Sequence, residues 1–176
     1  THGGWWEWAP PDNHWRMPYW RHMSGFMTAV ERLSYLLSQG RHVCDVAILY
    51  PVAPAEAGMD GKKAVDTAFE AGRKLYAAGI DFDFIDFESV LRAKIEGGGL
   101  SISGERYRVL VLPAMSAIRF AALEKAAAFA AAGGTVIAVG GWPEASDRAG
   151  RGDPVLDRLV AGLFRLEARE TGGRAA

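Results

Sequence analysis

The chain has 176 residues, 49% of them hydrophobic and 23% charged, with a formal net charge of −1. That length allows one ordinary domain plus an attached segment, and the near-neutral charge gives no electrostatic case for nucleic acid or an anionic membrane as partner. The one cysteine, Cys44, rules out an internal disulfide and a thiolate metal cluster, and the most apolar segment, 120–132, is too short and too polar to cross a bilayer.

Composition is uneven along the chain. Trp5, Trp6, Trp8, Trp15 and Trp20 are five of the six tryptophans, and all four histidines fall within the first 42 residues. This asymmetry predicts a boundary near Gly40, with 1–40 as the tail of another domain, 41–170 as an α/β domain and 171–176 as a frayed end. A natural chain that opens on Thr1 with no signal-like stretch is expected to be a fragment, and its compartment stays open.

Residues 1–19 show neither helical nor strand period, and Pro10, Pro11 and Pro18 break them into an irregular aromatic loop. Such a loop needs a cover for its rings. Arg21 to Gln39 reads as a helix, with Phe26, Val30, Leu33 and Leu37 on one stripe and Gly40 as its stop. Asp45 to Pro51 is a short apolar run without polar alternation, the pattern of a strand buried on both faces. A loop is expected over 52–61, then a helix over 62–78 with Val65, Phe69, Gly72 and Tyr76 on its inner face.

A second strand is expected over 80–87, a short helix over 89–96, and a strand pair, 100–103 and 105–112, turning at Ser103-Gly104. An alanine-rich helix over 118–132 ends at Gly133-Gly134, and a strand follows over 135–139. A glycine-rich loop leads to Asp153-Pro154, an N-cap followed by proline at the first helical position. The last helix then presents Val155, Leu156, Leu159, Val160 and Leu163, and 164–170 could add an edge strand.

Strands alternating with helices give an α/β fold: a doubly wound, mostly parallel sheet of the flavodoxin or amidotransferase kind, in order 2-1-3-4. Ligands on such sheets sit beyond the carboxyl ends of the strands, at the switch point. That rim is expected at Tyr50, Met115, Gly140, Gly141 and Trp142. No phosphate-binding glycine spacing is present, so no cofactor is expected. Cys44 lies just before a buried strand, where a thiol is inert. Ser116 is placed to cap a helix. No histidine lies within 43–176, so no Ser–His or Cys–His pair can form there.

The second cluster is His2, Trp5, Trp6, Glu7, Trp8 and His14, with Asp12 among them. Tryptophan faces stack on sugar C–H surfaces, and carboxylates and imidazoles bond hydroxyls or act as acid and base. Packing of the rings between domains is the plainer role. A metal held by His2, Glu7 and His14 matches no standard spacing, so no metal is expected.

Pro18-Tyr-Trp-Arg-His22 and Leu36-Leu37-Ser38-Gln39-Gly40-Arg41-His42-Val43-Cys44-Asp45-Val46-Ala47-Ile48-Leu49-Tyr50-Pro51 resemble the junction in glycoside hydrolase family 106, the α-L-rhamnosidase type. The resemblance implies a (β/α)8 catalytic barrel that ends near Thr1-His2-Gly3-Gly4, a long helix, and an α/β domain opening on its first strand. Cys44 stands where that family usually has alanine. Tyr107-Arg-Val-Leu-Val-Leu-Pro113 and Ala131-Ala132-Gly133-Gly134-Thr135-Val136 also look like the class I glutamine-amidotransferase-like domain that follows the barrel in many β-galactosidases. A cysteine nucleophile at a strand-to-helix elbow and a downstream histidine are both missing. The resemblance therefore implies a non-catalytic accessory domain of a carbohydrate-active hydrolase. Its partners would be the missing barrel of the same parent chain, a carbohydrate at the tryptophan loop, or a second copy in a homo-oligomer. The alternative is a flavodoxin-type small-molecule module using the rim.

Overall fold

The computed structural model describes residue 15 and residues 17–164. The chain divides into two compact units, Thr1–Arg41 and His42–Ala176.

In the first unit a 3-10 turn, Trp20–His22, runs into helix α1, Met23–Leu37. The spacing of Phe26, Val30, Leu33 and Leu37 gives the amphipathic stripe expected of it. No residue of α1 is buried, and Phe26, Leu33 and Leu37 are 60%, 55% and 74% exposed. Gly40 takes φ +83°, the left-handed conformation that suits a helix stop.

The second unit is built on a parallel sheet of four strands: β1 (Val46–Leu49), β2 (Phe82–Ile85), β6 (Val109–Pro113) and β8 (Thr135–Val139), in order β2-β1-β6-β8. Taken in chain order these are strands 2-1-3-4, as the sequence predicts. All of β1 is buried, and its side chains separate into two cores. Ala47 and Leu49 join Leu110, Leu112, Leu123 and Phe129 on one face, while Val46 and Ile48 join Ala68 and Val111 on the other. The period-two alternation of a strand thus feeds two helical layers, which explains why the run carries no polar residue.

Helix α3 (Gly61–Ala77) covers the second face. Its buried residues are Ala64, Ala68 and Gly72. This corrects the expected inner face: Phe69 and Tyr76 are exposed, because Gly72 lets the helix approach so closely that an added Cβ would lie 2.8 Å from the Phe82 ring. Small residues make the close contact, and Phe69 reaches only the Phe84 ring at the sheet edge, centroids 5.4 Å apart. Helix α5 (Phe120–Ala131) covers the first face, with helices α4 (Phe87–Arg92) and α6 (Pro154–Phe164) packed beside it. Asp86 caps α4 by accepting from Ser89 N–H at 2.8 Å and Ser89 Oγ–H at 2.7 Å. Gly133 and Gly134 close α5, donating to Ala130 O at 3.1 Å and Phe129 O at 3.0 Å.

Three further expectations are corrected. The 52–61 loop contains a short helix, α2 (Val52–Glu56). The expected strand pair is a three-stranded antiparallel sheet, β3 (Lys94–Glu96), β4 (Gly99–Ile102) and β5 (Glu105–Tyr107), so the expected helix stops at Arg92 and Gly97-Gly98 forms a hairpin turn. Another small sheet joins β7 (Ala117–Ile118), β9 (Ala145–Ser146) and β10 (Gly150–Arg151), which places strand structure inside the glycine-rich loop. Phe164 ends α6; the rest of the expected edge strand, 165–170, and the tail 171–176 lie outside the described residues.

Candidate functional site

The carboxyl ends of the parallel strands form one end of the second unit. Pro113 ends β6, and Ala114 follows it with φ +40°, a left-handed backbone that an L side chain rarely adopts. Its N–H donates to Val139 O at 2.5 Å, locking the turn to the end of β8. Ser116 does not cap a helix, contrary to expectation. Its hydroxyl donates to Met59 O at 2.9 Å, and its carbonyl accepts from Glu144 and Ala145 N–H. The capping of α5 falls instead to Asp147, whose carboxylate accepts the Phe120 N–H at 2.7 Å.

Ala114, Ser116, Gly140, Gly141, Trp142, Asp60, Lys63 and Glu144 line a cavity of about 70 Å³ over this turn. Gly140, Gly141 and Trp142 therefore do meet at the rim, as their place in the chain predicts. Met115 does not: it is fully buried in the core and offers no surface to a ligand. Tyr50 lies outside that lining and packs edge-on against Phe84, centroids 5.9 Å apart. A cavity this small holds water or a small ion and falls well below the roughly 300 Å³ of an ordinary small-molecule site.

A larger cavity of about 590 Å³ lies at the same end, between α2, the small β7-β9-β10 sheet and the start of α5. Its lining includes Glu56, Met59, Arg119, Ser146, Asp147 and Arg151. Two of its charges have structural work. Arg119 is paired with Glu88 and lies over the Phe87 ring, and Asp147 caps α5. This cavity was not legible in the sequence, because part of its wall is made of two-residue strands too short to show a period.

Nucleophilic chemistry at this end has few candidates. Cys44 precedes β1, at the opposite end of the sheet. Its thiol donates to Val46 O at 3.3 Å, and burial pushes it above its ordinary value, the inert state expected of it. His42 also precedes β1, so it too lies away from Ser116. Beside α6, Arg148 grips the buried Asp153 at 2.5 Å, and that hydrogen bond holds the carboxyl below its ordinary value. The tryptophan-loop candidates His2, Trp5, Trp6, Glu7, Trp8 and His14 lie outside the described residues. Among the described residues no helix is long and apolar enough to cross a membrane.

The family model for α-L-rhamnosidase, glycoside hydrolase family 106, matches residues 12–174. The chain belongs to that family. The sequence resemblance placed this family at residues 1–51 and, more loosely, at 81–142, and the match runs through both. Among solved structures, the β-galactosidase of Bifidobacterium adolescentis is similar, with a TM-score of 0.52 and 22% identity. That likeness covers 71% of this chain and 54% of the β-galactosidase chain, and at such identity it concerns the fold. No curated protein matches.

Proposed function

We propose that this chain is a non-catalytic accessory part of an α-L-rhamnosidase-type glycoside hydrolase, joining the end of its catalytic barrel to a self-contained α/β domain. The observation that carries this reading is the contrast between α1, which leaves its apolar stripe exposed, and the unit after it, which closes two cores of its own. An apolar stripe of that size calls for a partner, and a barrel from the same parent chain is the partner the family suggests. The strained turn after β6 adds support. It has the backbone tension often found where an enzyme presents a nucleophile, yet Ala114 fills it with a methyl group. His2, Trp5, Trp6, Glu7, Trp8 and His14 would then belong to the rim of the barrel, where the tryptophans stack on sugar or seal the joint.

The test is direct. Purified chain is incubated with aryl α-L-rhamnosides, and no turnover is expected. Turnover that disappears on Glu7→Gln would show that the chain is itself the hydrolase.

A second reading, a small-molecule module, draws on the 590 Å³ cavity, whose volume falls in the ordinary ligand range. Flavin absorbance in the purified protein would favour it.

A further inference from the structure

At the amino end of the sheet three side chains distant in sequence converge. His42 lies just before β1. Asp83 is in β2, paired with Ala47 of β1, and Glu105 opens β5. His42 Nδ1 stands 3.5 Å from Glu105 Oε2 and 3.8 Å from Asp83 Oδ2, and one ligand atom from each of the three lies within 4.8 Å of the others.

The other ring nitrogen is already used. His42 Nε2 meets Asp81 Oδ2 at 2.8 Å. With Nε2–H donated to that carboxylate, Nδ1 keeps a lone pair with two carboxylate oxygens within 3.8 Å, an arrangement that a bound cation relieves. A proton on Nδ1 fits the distances poorly, since N–H···O bonds run about 2.7–3.2 Å. Ligand bonds of about 2.0–2.1 Å at a tetrahedral angle put neighbouring ligand atoms about 3.3 Å apart, so a metal would need the 3.5 and 3.8 Å separations to close by only a few tenths of an ångström.

Two further features point the same way. Glu105 Oε2 is buried and accepts no hydrogen bond, which is costly for a carboxylate oxygen unless something binds it. Asp83 Oδ2 is held by the Tyr107 hydroxyl, which donates at 3.0 Å. A carboxylate on the far nitrogen of the imidazole and a fixed donor behind a ligand carboxylate are the outer supports that metal sites use. Cys44 is not a ligand, because its thiol is turned to Val46 O.

We propose that His42, Asp83 and Glu105 bind one divalent transition-metal cation, with Asp81 and Tyr107 orienting two of the ligands. One nitrogen and two oxygens suit zinc or manganese, and the usual affinity order favours zinc over manganese and magnesium. The half-exposed His42 leaves the fourth position to water. The cation ties the segment entering β1 to β2 and to the antiparallel sheet, so its role is a structural clamp. This inference is independent of the proposed function.

The experiment uses the whole chain, stripped with a chelator and titrated with zinc chloride alone by calorimetry, with magnesium chloride in parallel. One equivalent of zinc is expected to bind at least tenfold more tightly than magnesium and to raise Tm. Glu105→Gln and Asp83→Asn should each weaken zinc at least tenfold, and Asp81→Asn roughly tenfold through the imidazole. Failure of zinc to bind stoichiometrically overturns the proposal, as does binding that Glu105→Gln leaves unchanged. Should a variant not fold, 15N signals of the His42 ring in the unaltered chain decide. Zinc should move Nδ1 and leave Nε2 protonated; both nitrogens protonated in the presence of zinc would mean that the proton alone fills the gap.

Discussion

Helix α1 and helix α5 are both apolar and of similar length, Met23–Leu37 and Phe120–Ala131, yet they stand in opposite situations. Helix α5 buries Ala122, Leu123, Ala126 and Phe129 against the sheet, while α1 buries nothing. An amphipathic stripe therefore states only that a helix wants a partner. It does not say whether the partner lies in the same chain.

That contrast can be broken by substitution. Phe129→Ala removes a fully buried ring and should cost about 3–5 kcal/mol in urea unfolding. Leu33→Ala, at a position 55% exposed in α1, should change the same transition by less than about 0.5 kcal/mol. Equal losses would mean that α1 is as much part of the folded core as α5.

The stop of α5 is the next test. A Cβ on Gly134 would lie 2.1 Å from the Phe129 ring, and that ring has no room to move. Gly134→Ala should therefore cost about 1–3 kcal/mol by overpacking. Gly25→Ala in α1, where a Cβ meets nothing within 4 Å, should stabilise its helix slightly, readable as a gain in ellipticity.

Smaller effects come from the caps. Asp86→Ala should cost about 1 kcal/mol, because it strips α4 of its N-cap. Asp86 and Asp153 also set an acid limit. Hydrogen bonds from Ser89 and from Arg148 hold their carboxyls below the ordinary 3.8. A group whose pKa is lowered by folding contributes stability above its unfolded value and loses it as pH falls through the folded one. Unfolding free energy should thus decline below about pH 4, and the Asp86→Ala variant should decline less steeply. An unchanged acid slope in that variant would contradict the cap.

Much of this fold was legible because parallel strands write strong signals. β1, β6 and β8 are near-continuous apolar runs, each bounded by glycine or proline, and the order 2-1-3-4 follows from connection rules. The misses share a cause. Two- and three-residue strands such as β7, β9, β10 and β3 carry no period, so the β7-β9-β10 sheet and the third strand of the other small sheet stayed hidden, while its β4–β5 hairpin was legible at Ser103-Gly104. The inner face of α3 was misjudged because alanine and glycine at close approach look weak in sequence, whereas Phe69 and Tyr76 look strong. At the rim, Gly140, Gly141 and Trp142 were legible as the end of β8, but a positive φ at Ala114 turns Met115 into the core. The His42–Asp83–Glu105 group was illegible for a different reason: its members sit on separate segments, and only the pairing of β1 with β2 and the turn into β5 bring them together.

The α/β unit closes cores of its own while α1 buries no residue, and the proposed function takes α1 to pack on another surface. Native-state hydrogen exchange on the purified chain tests it most directly. The account predicts that amides of β1, β6 and β8 exchange only through global unfolding, while those of α1 exchange faster by orders of magnitude. Protection of α1 equal to that of β6 in the isolated chain would contradict it.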